Sequence, residues 1–358
     1  MKFNQFEPNI SSLDIRSVND YMNSGGWLTE NNLTRNLEDL IATYTNRKFA
    51  IAVPNGTQAI YLALLSLGIN KDSLVAVPNL TMIATINAIL WTGAKPYIID
   101  TDKNLCMDLE KLKEVKNLDA VIYVPLNGRT RNGLEIAKWC KENNIKLLED
   151  SAHALGSEYN NNLKCGKLGD VSIFSFTPHK IITMGQGGMV LTDNRKIYEN
   201  IFKLKTFNRR KNKSDWHNGY GLNFKITDLQ ASLGITQFQQ LTKFIKIKKK
   251  NFVEYDKKIK NENVFLSQFF NYETPWFYDA YLKNKNERRR FYNFLMKNDI
   301  EARYHYPCLS KQKFLNEVNR TNLEISEKID DKLIWLPSST KLSTKDIVAI
   351  STIINLYE

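Results

Sequence analysis

The residues best placed to do chemistry lie between Leu147 and Thr192, in the run LLEDSAHALGSEYNNNLKCGKLGDVSIFSFTPHKIITMGQGGMVLT. One apolar run, Ile145 to Leu148, ends in Glu149 and Asp150. A second, Val171 to Phe176, carries Ser175 at its end, and Lys180 follows. Gly187 and Gly188 open a third run, Met189 to Leu191. Short apolar runs that end in polar residues read as buried parallel strands. Open α/β sheets bind ligands at the carboxyl ends of such strands. A carboxylate, a hydroxyl and an amine on one rim suit a cofactor with a basic ring nitrogen, a phosphate and an aldehyde. Pyridoxal phosphate (PLP) carries all three. Asp150 would keep the ring nitrogen protonated, so that the ring can accept electrons. Lys180 would join the aldehyde as an imine and then move the substrate proton. Each residue alone has a plainer use: an acid at a strand end caps a helix, a lone lysine sits at the surface, and a serine turns the chain. Gly56-Thr57, at the start of a helix, offers backbone N–H groups, a hydroxyl and a helix dipole to a phosphate.

The elements that would position these groups alternate. Helices are expected over Leu33 to Thr45, Gln58 to Leu67 (capped by Thr57), Thr81 to Trp91, Leu109 to Val115 and Leu134 to Asn143. Between them, strands are expected at Phe49 to Val53, Leu74 to Val77, Pro96 to Ile99, Ala120 to Val124 and Ile145 to Leu148. Such alternation means βαβ units and a mainly parallel sheet. A helix at Ile197 to Lys205 leads into a basic loop, Phe207 to Tyr220. The apolar spacing of Leu229, Leu233, Phe238, Leu241 and Phe244 predicts one long helix from Ile226 to Lys248. The domain division follows: an α/β domain over 1–248, with an arm over 1–30 holding one short helix, and a small α+β domain over 249–358. In the latter, Trp276 to Leu282 and Glu301 to Tyr304 read as strands, and Glu287 to Met296 and Thr344 to Leu356 as helices.

The chain has 358 residues, enough for a large core, and is 42% hydrophobic and 25% charged, as in ordinary soluble proteins. Much of the formal charge of +12 falls in three clusters: Lys203 to Lys213, Lys243 to Lys250 and Lys283 to Arg290. These read first as solvated helix faces and second as an attraction for an anionic substrate. No zinc-finger, RNP or helix-turn-helix signature supports nucleic-acid binding. Cys106, Cys140, Cys165 and Cys308 are scattered, which fits free thiols in a reducing cytoplasm. The first residues lack the apolar core of a signal peptide. The longest apolar candidate, Met82 to Ala94, is interrupted by Thr85, Asn87, Thr92 and Gly93, so no membrane span is expected. His153, His179, His217 and His305 lack metal-ligand spacing, so no metal is expected.

Seven segments resemble the DegT/StrS-type nucleotide-sugar aminotransferases: NGTQAIYLAL from Asn55, PNLTMIATINAI from Pro78, EDSAHALGS from Glu149, FSFTPHKIITMGQGG from Phe174, GLNFKITDLQASLG from Gly221, IEARYHYP from Ile300 and WLPSS from Trp335. The match covers most of the chain, from roughly Gly26 to the end, and the segments come in the family's order and spacing. The resemblance implies PLP fold type I, the aspartate aminotransferase-like architecture: a large, mixed, mostly parallel sheet plus a small α+β domain. It implies Lys180 as the Schiff-base lysine, Asp150 at the pyridine nitrogen and His153 at the ring hydroxyl oxygen. Ser175, Gly56 and Thr57 would hold the phosphate, and Met82 would cover the ring where relatives usually have an aromatic residue. Asn223 would enter the neighbouring subunit's phosphate site, making a homodimer with a shared active site. By the same resemblance, L-glutamate converts PLP to pyridoxamine phosphate (PMP), and a nucleotide-linked keto-deoxy sugar then receives the amine, in capsule or O-antigen synthesis in the cytoplasm. Trp27, Arg129, Arg303 and His305 are the candidate substrate contacts. The element Leu126-Asn127-Gly128-Arg129 departs from the commoner His-x-Tyr-Gly and is expected to shape the substrate pocket. That departure leaves room for a second acceptor class, small phosphorylated ketones such as dihydroxyacetone phosphate. Relatives with His at the lysine position perform dehydration, and Lys180 sets this chain apart from them. The rivals from other classes are a regulatory relative without turnover and, more distantly, a nucleic-acid binder.

Overall fold

The computed structural model describes residues 2–211, 215–284 and 287–358. Lys213 and Lys285, which belong to two of the basic clusters, lie outside the described residues. Seven strands come first in the chain: β1 (Phe49–Val53), β2 (Leu74–Pro78), β3 (Lys95–Ile99), β4 (Ala120–Tyr123), β5 (Lys146–Asp150), β6 (Val171–Ser175) and β7 (Gly188–Thr192). With a late strand, β11 (Asn319–Arg320), they form one eight-stranded sheet in the order β1-β7-β6-β5-β4-β2-β3-β11. All neighbours are parallel except at β7, which is antiparallel to both β6 and β1. The third apolar run is therefore not a parallel strand. It enters from the rim where the others end, which brings Gly188 beside Val53 and Ser175.

Both faces of this sheet are covered, which explains why its strands read as continuous apolar runs. Alternate residues supply opposite cores. Val75, Val77, Ile122, Leu148, Val171 and Ile173 face one side with α3 (Gly56–Ser66) and α4 (Ile83–Trp91). Ala76, Val121, Tyr123 and Leu147 face the other, with α5 (Leu109–Lys113) and α6 (Gly133–Glu142). Ala50, Ala52, Phe174 and Met189 share that second face, where Leu37 of α2 (Asn32–Thr45) meets Ala231 of α8 (Asp228–Gln239).

The predicted single helix over 226–248 is two: α8 and α9 (Leu241–Lys258). The break at Gln240 has a tertiary cause. Asp14, on α1 (Ser12–Asn23) of the arm, accepts hydrogen bonds from Thr236, Gln237 and Gln240, which ends α8 there. The helix α9 then crosses the predicted boundary. Leu241 and Phe244 pack on the large-domain core, whereas Phe252 and Tyr255 pack in the small domain.

The chain after α9 forms a second sheet, β10-β12-β9-β8, built from β8 (Val264–Leu266), β9 (Tyr278–Leu282), β10 (Arg303–Tyr304) and β12 (Leu333–Leu336). Its strands are antiparallel. Helices α10 (Glu287–Lys297) and α12 (Thr344–Ile354) pack on it, and α11 (Glu324–Asp330) precedes β12. Trp276 and Phe277 precede β9 rather than opening it, and β8, β11 and β12 are strands that periodicity did not predict. The remaining helix, α7 (Arg195–Lys205), follows β7. Cys106, Cys140, Cys165 and Cys308 are free and buried. Among the described residues, no helix is long and apolar enough to cross a membrane, and no group of three or more His, Cys, Asp or Glu side chains could hold a metal.

Candidate active site

Strand register assembles the centre of the site. In the β5–β6 pair, Leu148 lies opposite Val171 and Asp150 opposite Ile173. With a period of two, Asp150 and Ser175 share the face already occupied by Leu148, Val171 and Ile173, the side of α3 and α4. A cleft of about 590 Å³ opens there, and Gly56, Thr57, Met82, Asp150, His153, Ser175, Lys180 and Arg303 all line it.

Asp150 is buried, and its Oδ2 accepts a 2.8 Å hydrogen bond from the Thr85 hydroxyl. Burial pushes its carboxyl pKa up, against the opposing pull of Thr85, the Ala152 amide and the Lys180 charge. A carboxylate in that state gains from a cation placed in the cleft. Lys180 lies in the turn after β6, its backbone N–H bonded to the Thr177 carbonyl at 3.0 Å. Its Nζ sits 4.3 Å from the centre of the Trp276 ring. Burial lowers its pKa to about 7; Asp150 opposes the shift and the Arg303 charge adds to it. The amine is thus partly neutral near neutral pH, the state a nucleophile needs.

Beside them, α3 begins with two amides free for an anion. The helix is capped by Asn55, whose side chain accepts from the Gln58 N–H at 2.9 Å, and not by Thr57 as expected. The correction has a chemical consequence. With Asn55 as cap, the Thr57 hydroxyl is not spent on the helix end, and among the described residues the Gly56 and Thr57 amides have no hydrogen-bond partner. Gly56 is needed sterically: a Cβ there would lie 2.9 Å from Ser175 Cβ. Gly188 likewise admits the Asn55 carbonyl, which a Cβ would meet at 2.5 Å. The helix start, Ser175 and β7 therefore interlock closely, a cradle for a phosphate.

His153 is stacked on Trp276 with ring centres 3.9 Å apart. Burial and the Lys180 and His305 charges hold its pKa well below the usual histidine value, so it is neutral. Its Nδ1 is buried without a hydrogen-bond partner among the described residues. That orphaned atom, the carboxyl of Asp150 and the tight cradle at Gly56 fit PLP: ring oxygen, ring nitrogen and phosphate each have a waiting partner. Met82 lines the same cleft, with its sulfur 3.0 Å from the Ala84 N–H.

Four candidates lie elsewhere. Arg129 is not a substrate contact. It is 1% exposed, ion-paired to Asp279 at 2.5 Å and 4.0 Å from the Phe269 ring centre. His305 is buried against Trp335 and Tyr306 and does not line the cleft. Trp27 is 68% exposed and also outside the lining. Asn223 is exposed on a segment bridged to Thr206, away from this chain's own cleft. The expected pocket-shaping loop, Leu126 to Arg129, is instead a buried buttress. Asp279 accepts from Asn127, Arg129 and Trp335, and the Asn127 carbonyl accepts from the Trp276 N–H at 3.1 Å. Trp276 itself escaped the sequence reading. The run Trp276-Phe277-Tyr278 was its only signal, and that run was read as the start of a strand.

A profile of the DegT/DnrJ/EryC1/StrS aminotransferase family matches residues 8–355. The chain belongs to this family. It is 31% identical over 358 residues to GDP-perosamine synthase of Escherichia coli O157:H7, covering 98% of this chain and 97% of that one. It is 33% identical over 269 residues to the UDP-4-amino-4,6-dideoxy-N-acetyl-beta-L-altrosamine transaminase of Campylobacter jejuni serotype O:23/36, covering 72% and 69%. Spr1654 from Streptococcus pneumoniae, described as a sugar aminotransferase and solved in its PLP form, superposes with a TM-score of 0.91 at 23% identity over 99% of this chain and 97% of that one. The fold is that of the PLP-dependent sugar aminotransferases, and this aminotransferase uses PLP.

Proposed function

We propose that this aminotransferase takes an amino group from L-glutamate and delivers it to the keto group of a nucleotide-linked keto-deoxy sugar. The product would serve a surface polysaccharide, capsule or O-antigen, and the enzyme would work in the cytoplasm. One observation carries the reading: Asp150, Ser175, Lys180 and the α3 start share one cleft, in a chain whose GDP-perosamine synthase relative matches nearly end to end. The PLP ring supplies an electron sink that lets the substrate Cα–H bond break and re-form. Everything else falls to this chain's residues. Asp150 would hold the ring nitrogen protonated, and Thr85 would orient that carboxylate. The Gly56 and Thr57 amides and Ser175 would fix the phosphate. Lys180, with its depressed pKa, would take the proton from the donor carbon and return it at the acceptor carbon. Neutral His153 would meet the ring oxygen, with Trp276 behind it. Asn223 would serve the partner subunit's phosphate site, so the active unit would be a homodimer.

The small-phosphoketone reading drew its support from Arg129 and the altered loop, and both are committed to Asp279 and Trp276. A regulatory relative without turnover would not need Lys180, Asp150 and Ser175 together. The test is to convert the PLP form with L-glutamate and to follow its return against keto-sugar nucleotides and dihydroxyacetone phosphate, with mass detection of the aminated product. Return with keto-sugar nucleotides alone supports the reading; return with only the small ketone refutes it.

A further inference from the structure

Among the described residues, one guanidinium lines the cleft, that of Arg303. Arg303 comes from β10 of the small sheet, whereas Asp150 and Ser175 come from the large one, so it reaches the cleft from a different sheet than the cofactor cradle. It is exposed, and among the described residues its guanidinium has no carboxylate or hydrogen-bond partner. Other arginines are spent within the protein: Arg47 on Asp193 and the Gly166 carbonyl, Arg129 on Asp279, Arg131 on Glu273. Two rings back Arg303, with its guanidinium carbon 5.6 Å from the Trp335 centre and 6.0 Å from that of Tyr306. Such aromatic neighbours favour a cation there while leaving its N–H donors free. A planar fork of donors matches a carboxylate or a phosphate.

Both substrates of the proposed reaction are anions, and they occupy the cleft in turn, since the amino group waits on the enzyme between them. In glutamate, the side-chain carboxylate is a few bonds from the carbon that reacts. In a nucleotide-linked 4-keto sugar, the first phosphate is somewhat further from the keto carbon, across the sugar ring. Both reacting carbons must reach Lys180, so both anionic ends fall within the same cleft, in the range that a long arginine side chain can cover. We propose that Arg303 is the shared anion grip of the two half-reactions, holding a carboxylate of the amino donor first and a phosphate of the acceptor second. This rests on the functional reading above. It makes the two substrates exclusive of one another and explains how one cleft serves two molecules of different shape.

The experiment follows each half-reaction separately on the holoenzyme by the absorbance of the cofactor. In Arg303→Gln, KM for glutamate and KM for the keto-sugar nucleotide should each rise about 10- to 100-fold, the loss expected for one charged hydrogen-bonded contact. Arg303→Lys should recover part of both losses. A bare nucleoside diphosphate should compete with glutamate in the parent enzyme, and its inhibition constant should rise in parallel in Arg303→Gln. A loss confined to one half-reaction, unchanged KM values with a lower kcat, or non-competitive inhibition by the nucleoside diphosphate would overturn the proposal. Melting temperature and PLP content, measured on both variants, separate these outcomes from misfolding. If no keto-sugar nucleotide is a substrate of the parent enzyme, the functional reading fails, and the glutamate and nucleoside diphosphate arms still decide the role of Arg303.

Discussion

Among the described residues, Asp150 is the one carboxylate within electrostatic reach of Lys180, and that group is itself reluctant to ionise. The sign of the pH dependence follows. Below about 7 the amine is protonated and cannot attack an aldehyde; above it, the amine is free. Uptake of PLP by the cofactor-free protein should therefore accelerate as pH rises through about 7 and level off above it. A rate still climbing near the ordinary lysine value, about 10.4, would show that the amine is not perturbed. Lys180→Ala should abolish transamination while PLP together with glutamate still binds, checked by coupled assay and by absorbance. For Asp150→Asn, PLP should still bind through the phosphate cradle, but kcat should fall about 100-fold or more, the scale at which a buried electrostatic partner of the reacting group acts. A variant with unimpaired kcat would remove Asp150 from the ring nitrogen. That Asp150, Ser175 and Lys180 meet in one cleft was legible in the sequence, because each closes or follows a short apolar run. His153 and Met82 needed the family resemblance, and Thr85 and Trp276 needed coordinates. Thr85 lies 65 residues before the carboxylate it orients.

At the scale of elements, the start of α3 is the most exposed to test. Asn55 caps the helix and leaves the Gly56 and Thr57 amides free, so Asn55→Ala should cost about 1 kcal/mol of stability. It should also weaken PLP binding, as the first turn frays. Gly56→Ala is more direct. Its Cβ would press on Ser175, and the phosphate cradle would have to open. An overpacking cost of about 1–3 kcal/mol is expected, together with a larger rise in the Kd for PLP measured by equilibrium dialysis. Unchanged PLP affinity would place the phosphate elsewhere. Helix and strand positions along the first two hundred residues were well anticipated, because burial on two faces leaves a continuous apolar signature. The direction of β7 was not, since a five-residue apolar strand looks the same read from either end.

At the scale of the molecule, the two sheets meet through a few buried polar contacts. Asp279 of β9 accepts from Asn127 and Arg129 of the large domain and from Trp335 of β12. Arg129→Met would leave that carboxylate buried with one fewer charge partner, at a cost of about 3–5 kcal/mol, read as a lowered unfolding midpoint in denaturant. Because the same loop holds the Trp276 backbone, PLP retention should fall alongside. A stable variant that keeps its cofactor would show that the buttress is dispensable. The proposed dimer is testable at this scale too: Asn223→Ala should weaken PLP binding in a species that sediments as a dimer, and a fully active monomer would refute a shared site.

By itself, the sequence determined where the first seven strands of the large sheet and the helices between them lie, and which residues end up at its functional rim. Those features depend on alternation and on the nearest neighbours along the chain, which a short window contains. Tertiary structure decided the rest. Arg129 became a buttress because Asp279, 150 residues later, faces it in a buried setting. The helix expected over 226–248 broke because Asp14, on an arm more than two hundred residues away, draws in the side chains at its end. Arg303 faces the cleft because a strand of the small sheet ends beside the large one. No local pattern encodes such pairings, because partner and distance are set only when the whole chain has packed.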